Sequence, residues 1–382
     1  MPRLLIVTTV AATLRAFLLP YAKYFKNLGW QVDALARDAA SCEECLKTFD
    51  RCYDVPFSRS PWSIGLRGRG LREMNARIRS LVEEGQYDIV HVHTPVAAFV
   101  TRLALSKLRE ESRPKVVYTA HGFHFHSGGC PLKNGLFIAL ERLAGKWTDC
   151  TITINREDYD AALARKIAKK ENLFLLPGIG LDFSAYSPET VSFDIDRVRR
   201  THLELGLTTE DEMFLMVAEF NRGKRHRDAL SALKKTGRKD FHLVFAGSGP
   251  LEEDMKRLAF SLGIASQVHF LGQRTDVPLL MLSSRATLLP SEREGLNRSV
   301  MESICLGIPV LGADVRGIRD LITSPDRGTL FPVGNTAALA AAMILSVENP
   351  CPVKPKPDPA WNIDSLLREH EKIYETLMTF KH

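Results

Sequence analysis

Short apolar runs alternate with longer amphipathic stretches in this chain, and the alternation is made twice with a break between. The first series reads strand 4–8, helix 17–28, strand 31–36, helix 71–84, strand 89–92, helix 97–108, strand 115–119, helix 136–146 and strand 150–154. The second reads strand 214–218, helix 227–235, strand 241–246, helix 251–262, strand 268–271, helix 278–283, strand 286–289, helix 299–306 and strand 310–312. Strand-helix repetition predicts a parallel sheet with helices on both faces, so the expected class is α/β with two doubly wound domains. The Gly- and Pro-rich string L-L-P-G-I-G-L-D-F-S-A-Y-S-P separates the series and reads as a hinge. The expected division is a first domain over 1–177, a linker over 178–212 and a second domain over 213–357. A last amphipathic helix over about 360–382 follows a Pro-rich passage. With 382 residues, two cores of about 150 to 200 residues fit better than one.

Composition narrows the class. Apolar residues make up 45% and charged residues 25%, the balance of an ordinary globular protein and not of a disordered one. Net charge is +6, and the cations bunch, which favours an anionic ligand or surface over a nucleic-acid partner. The opening P-R-L-L-I-V-T-T-V could mimic a leader, but Arg15, Lys23 and the string N-L-G-W-Q-V behind it read as helix and second strand. No uncharged apolar run reaches about 18 residues, so no membrane span is expected. Seven scattered cysteines, an odd number, suit a reducing compartment. Cys42-x-x-Cys45 with Cys52 lacks a second ligand pair, so no zinc is expected there.

The string S-E-R-E-G-L-N-R-S-V-M-E-S-I-C-L-G-I-P-V-L-G carries most of the chemistry. Glu294 falls on a loop after a strand, where open α/β sheets bind ligands, and Glu302 projects from the first turns of the next helix. Free amides at that helix start can hold a diphosphate. Ser299-x-x-Glu302 also spells a capping box, in which Glu302 only closes the helix. Asn221, Lys224 and Arg225 lie on the loop after strand 214–218, facing the same way as Glu294. Gly247 and Gly249 follow the next strand, a weak signal alone that gains from its position. Asp194-Ile195-Asp196 reads as a helix start with acids ahead of bases and not as a metal site. His121, His124 and His126 alternate after strand 115–119 without a partnering carboxylate, so no metal is expected there either.

These strings resemble the E-x7-E signature of glycosyltransferase family 4. The resemblance implies the GT-B architecture, two Rossmann-like domains facing a central cleft with the C-terminal helix crossing back to the first. It implies that Glu294 contacts donor-sugar hydroxyls, that Glu302 holds the ribose and that the amides of Gly295, Leu296 and Asn297 face the sugar. Lys224 matches the family's diphosphate-gripping Lys, but Glu219 stands where the companion Arg is common, leaving Arg222 or Arg225 as substitutes. The backbone at Leu271, Gly272 and Arg274 would border the nucleobase, and His121 would lie near the reacting carbon.

The H-V-H-T-P and H-G-F-H-F-H-S-G-G-C-P blocks resemble bacterial capsule and exopolysaccharide glycosyltransferases acting on lipid-linked sugars. The expected reaction is a retaining, metal-independent and cofactor-free transfer of a hexose or N-acetylhexosamine. The donor would be UDP-linked and the acceptor a sugar on polyprenyl diphosphate. His124 and His126 are acceptor-side or structural candidates. Arg59, Arg67, Arg69, Arg72, Arg77 and Arg79, interleaved with Trp62, Ile64, Leu66 and Leu71, suit either an anionic bilayer surface or a solvated basic helix. The expected location is the cytoplasm, peripherally on the inner face of the plasma membrane. Two rival readings remain: a UDP-sugar epimerase of the same architecture, which needs no acceptor, and a non-catalytic nucleotide-sugar-binding subunit.

Overall fold

The computed structural model describes residues 1–58, 69–109, 113–126, 129–186 and 195–379. Its contacts divide the chain into two compact units, Met1–Ile179 with the segment from Asp364 onward, and Gly180–Ile363.

In the first unit the strands are β1 (Arg3–Val10), β2 (Gln31–Arg37), β3 (Arg51–Asp54), β4 (Ile89–His93), β5 (Lys115–Ala120), β6 (Cys150–Thr153) and β7 (Leu173–Leu175). They form one parallel sheet in the order β3-β2-β1-β4-β5-β6-β7. Leu4, Leu5, Ile6 and Val7 are all buried, as expected where helices cover both faces of a parallel sheet. The order reverses between β1 and β4, and a ligand crevice opens at the C-terminal ends of strands at such a switch point. There Thr94 accepts from the Thr9 amide at 3.0 Å and takes the left-handed φ of 61°. That backbone is uncommon for a β-branched residue and concentrates at functional sites.

The final helix, Ile363–Thr379, packs into this first unit. Its buried Tyr374 lies 5.0 Å from the Phe25 ring and bonds through its hydroxyl to His91 Nδ1. His370 sits edge-on to Tyr21 at 5.0 Å, and Tyr24 donates to Glu371.

The second unit repeats the plan with β8 (Glu212–Val217), β9 (Phe241–Ala246), β10 (Val268–Phe270), β11 (Ala286–Leu289), β12 (Val310–Ala313) and β13 (Gly328–Phe331). All pair in parallel in the order β10-β9-β8-β11-β12-β13, the Rossmann order 3-2-1-4-5-6. Its switch point lies between β8 and β11.

Several elements depart from the sequence pattern. β3, β7 and β13 are short edge strands, half polar or partly exposed, so they lack the continuous apolar run that marks the inner strands. The helix expected from 136 begins at Pro131, a residue pre-organised for the first helical position. Within the stretch read as a linker, the helix Ile195–Glu204 folds into the second unit, where His202 Nε2 lies 2.8 Å from the Ser283 carbonyl. Trp62 and Arg67 lie outside the described residues, and Arg69 opens the helix Arg69–Gly85.

Tyr374→Ala is expected to destabilise the first unit by about 3–5 kcal/mol, since it empties a core position and strips His91 of a partner. Urea unfolding would read this as a lower midpoint for the first unit; an unchanged midpoint contradicts the packing.

Candidate active site

The second unit's switch point collects the charged residues. After β8, Asn221 caps a short turn, accepting from the Lys224 amide at 3.2 Å, and the chain enters the helix His226–Thr236 through Arg225 at φ 56°. After β11, the loop carrying Glu292 and Glu294 is stitched to this turn by a Glu292 amide bond to the Gly223 carbonyl at 2.9 Å. Lys224 Nζ meets Glu294 Oε1 at 2.6 Å, and the two side chains are 24% and 9% exposed. A carboxylate so far buried needs its charge answered, and Lys224 answers it. Behind the pair, buried Arg316 donates through Nε to the Glu294 carbonyl at 3.3 Å. Gly317 holds φ 76°, and a Cβ there would fall 1.4 Å from the Gly295 carbonyl oxygen, so only glycine permits this contact.

Glu302 does not close a capping box. The helix Arg298–Cys305 is capped by Asn297, which accepts from the Val300 amide at 3.2 Å, while Ser299 donates to Asn297 at 2.7 Å. Glu302 instead accepts from Tyr186 OH at 2.6 Å and from Arg298 Nε at 2.8 Å. Burial and then the Glu302 charge push the Tyr186 hydroxyl up to about 12, so it remains a donor.

Beside Glu219 lies a concavity of about 540 Å³, walled by Ala218, Gly247, Ser248, Gly249 and Arg274. Its floor is backbone against backbone. A Cβ on Gly247 would fall 2.1 Å from the Ala218 oxygen and one on Gly249 would fall 2.7 Å from the Phe220 nitrogen, while the Gly247 amide donates to the Gly272 carbonyl at 2.7 Å. Arg274 is held by Asp276 through two bonds of 2.8 and 2.6 Å. Glu219 is exposed and accepts from Asn221 at 3.1 Å. Arg225, expected beside the diphosphate grip, is engaged instead by Asp228 at 2.6 Å and Glu292 at 3.7 Å. Asp228 follows it on the same helical turn, so two carboxylates absorb its charge. The structure thus groups Lys224 with Glu294, and Gly247 with Gly272 and Arg274.

In the first unit, buried His91 and His93 of β4 and half-buried His121 just after β5 gather together. His93 Nδ1 lies 3.0 Å from His121 Nε2 with the rings stacked at 5.3 Å, and His91 lies 4.1 Å from His93. Burial holds His121 down at about 4 and His91 and His93 well below the ordinary range, so the group is neutral near pH 7. One ring nitrogen of the His93–His121 contact must therefore donate and the other accept. His124 turns towards Phe137 at 5.2 Å, and the His126 carbonyl accepts from Asn134 at 2.8 Å. Among the described residues no group of three or more His, Cys, Asp or Glu has a metal-holding arrangement.

Sequence reasoning missed Tyr186, Arg316 and Gly317 around the carboxylates and His91, His93 and His370 around His121. The H-V-H string was the one visible signal for the latter group.

Two parallel sheets in Rossmann order, one in each unit, are the plan of the GT-B glycosyltransferases among the solved structures this chain resembles. The description Glycosyl transferases group 1 matches residues 199–358, and Glycosyltransferase Family 4 matches residues 17–178. EpsD of Bacillus subtilis, which carries a provisional glycosyltransferase name, is 34% identical over 343 residues, covering 88% of this chain and 85% of that one. The Escherichia coli UDP-Gal:alpha-D-GlcNAc-diphosphoundecaprenol alpha-1,3-galactosyltransferase is 25% identical, covering 83% and 80%. Among solved structures, Anabaena HepE in complex with UDP and glucose superimposes with TM-score 0.73 at 16% identity, covering 99% and 98%. Sucrose-phosphate synthase of Thermosynechococcus elongatus gives 0.76 at 16% identity, covering 99% and 100%. The chain belongs to glycosyltransferase family 4.

The neutral histidines set an acid limit. The unfolded chain binds protons near pH 6.5 that folded His91, His93, His121 and His370 refuse, with His121 and His370 held to about 4. Stability is therefore flat above about pH 6.5 and falls below it, each histidine contributing at most about 1.4 kcal/mol per pH unit. Thermal melting between pH 7.5 and 4.5 should show the first unit's transition falling through this window. A transition independent of pH would contradict their neutral burial.

Proposed function

We propose that this glycosyltransferase moves a hexose or N-acetylhexosamine from a UDP-linked donor to a sugar hydroxyl on a polyprenyl-diphosphate-linked acceptor, with retention of configuration and in exopolysaccharide synthesis. The observation that carries the reading is the Lys224–Glu294 ion pair, at 2.6 Å on a strand-end switch point. Without donor the two charges answer each other. A diphosphate offers Lys224 a stronger anion, and release of Glu294 frees its carboxylate to accept from sugar hydroxyls. The Asn297-capped helix start and the amides of Gly295 and Leu296 supply neutral donors, while Glu302, held by Tyr186 and Arg298, presents a fixed carboxylate to a ribose. The glycine-floored concavity at Gly247 and Gly272 is suited to a flat base bordered by backbone.

In the proposed reaction the bond from the anomeric carbon to the phosphate oxygen breaks, and its electron pair leaves on the diphosphate. Lys224 and the helix-end amides stabilise that growing charge. The acceptor oxygen bonds to the same face of the sugar, and its proton passes to the departing phosphate oxygen. The Escherichia coli galactosyltransferase, named for a diphosphoundecaprenol-linked acceptor, and the UDP complexes of HepE support this choice of substrates. Exopolysaccharide synthesis and a location at the inner face of the plasma membrane follow from that acceptor. No helix among the described residues is long and apolar enough to cross a membrane.

Glu294→Ala is expected to lower turnover by at least about 10²-fold while the melting transition stays cooperative. Full activity in that variant would overturn the assignment. In a nucleotide-sugar panel, UDP-hexoses or UDP-N-acetylhexosamines should stabilise the second unit, by about 2.7 kcal/mol at a hundredfold excess over Kd. Stabilisation confined to another nucleotide would change the donor, and conversion of the UDP-sugar without acceptor would mark an epimerase.

A further inference from the structure

The helix Pro131–Gly145 is apolar on two sides, yet one of them is bare. Its inner side packs Phe137, Ile138 and Ala144 on the first unit and turns its one acid, Glu141, inward to Arg102 at 3.0 Å and Tyr118 at 3.2 Å. Its outer side carries Leu132, Leu136, Ala139 and Leu143, whose spacing of four, three and four aligns them on one face. The three leucines are 86%, 43% and 42% exposed. A contiguous apolar row left exposed on a helix calls for an apolar partner.

The flanks say which partner. Exposed Lys133, Arg142 and Lys146 border the row, and with Glu141 turned inward no acid of this helix faces out. At the helix's C-terminal end Arg142 and Lys146 join Lys166, Lys169 and Lys170 around a cavity of about 850 Å³, where Glu171 is 4.0 Å from Lys169. A leucine row roughly 16 Å long with cations along it and a basic hollow at one end matches an anionic lipid surface, in which such a helix lies flat.

We infer that the outer face of Pro131–Gly145, with the Lys166–Lys170 hollow, seats this protein on an anionic bilayer. The placement serves the proposed reaction. Asn134 holds the His126 carbonyl and Phe137 meets His124, so the seated helix carries the His121–His126 loop to the headgroup layer. The inference deepens the lipid-linked reading of the substrate, but its test needs no substrate.

The test is sedimentation of the full chain with phosphatidylglycerol/phosphatidylcholine vesicles and with phosphatidylcholine alone. Wild type should bind the first and not the second. Leu132→Gln/Leu136→Gln/Leu143→Gln should lower partition by at least about tenfold, as should Lys166→Gln/Lys169→Gln/Lys170→Gln, with unchanged melting. Unchanged partition in the leucine variant, or no vesicle binding by wild type, overturns the inference. So does a wild-type dimer that the leucine changes dissociate, which would assign the row to a second copy. Because the vesicles hold neither donor nor acceptor, any of these results leaves the proposed glycosyl transfer standing, and loss of transfer with vesicle binding intact would sink only that reading.

Discussion

The 2.6 Å contact between Lys224 and Glu294 depends on both loops at the second switch point. A carboxylate 9% exposed needs a partner for its charge, and the cation is delivered from the neighbouring strand's loop. Everything that fixes those loops serves this contact: the Asn221 cap, the Glu292 amide on Gly223, Arg316 on the Glu294 carbonyl, and Gly317 against Gly295. The parallel sheet sets the direction from which both loops arrive. Because β8 and β11 are neighbours whose onward connections part to opposite sides, the space above them is left for a ligand.

Charge is managed differently in the two clusters at the strand ends. In the second, ionised groups are paired: Glu302 with Arg298, Arg225 with Asp228, Arg274 with Asp276. In the first, titratable rings are kept neutral, and hydrogen bonds between His91 and both Thr119 and Tyr374, one donated and one accepted by its ring, and between His93 and His121 carry the order. Paired charges hold their side chains in fixed directions, while neutral rings offer directed donors and acceptors without net charge.

What the sequence reveals follows contact range. The carboxylate loop, the Lys224 turn and the strand-helix alternation are local, and their spacing shows in the string. The Asn297 cap was hidden by a nearby Ser299-x-x-Glu302 that spells the same signal, and the Asn297 amide oxygen two residues earlier took the role. Tyr186 meets Glu302 across 116 positions and His91 meets Tyr374 across 283, and no local pattern records such partners. The edge strands β3, β7 and β13 escaped because half-exposed strands do not need continuous apolar sequence.

The helix Ile363–Thr379 is made after every strand of both units, yet its Tyr374 and His370 fill the core of the first unit. The Gly180–Ile363 unit has all its strands before that helix exists. A nascent chain stalled before residue 364 therefore holds every strand of both units but lacks the helix that fills the core of the first.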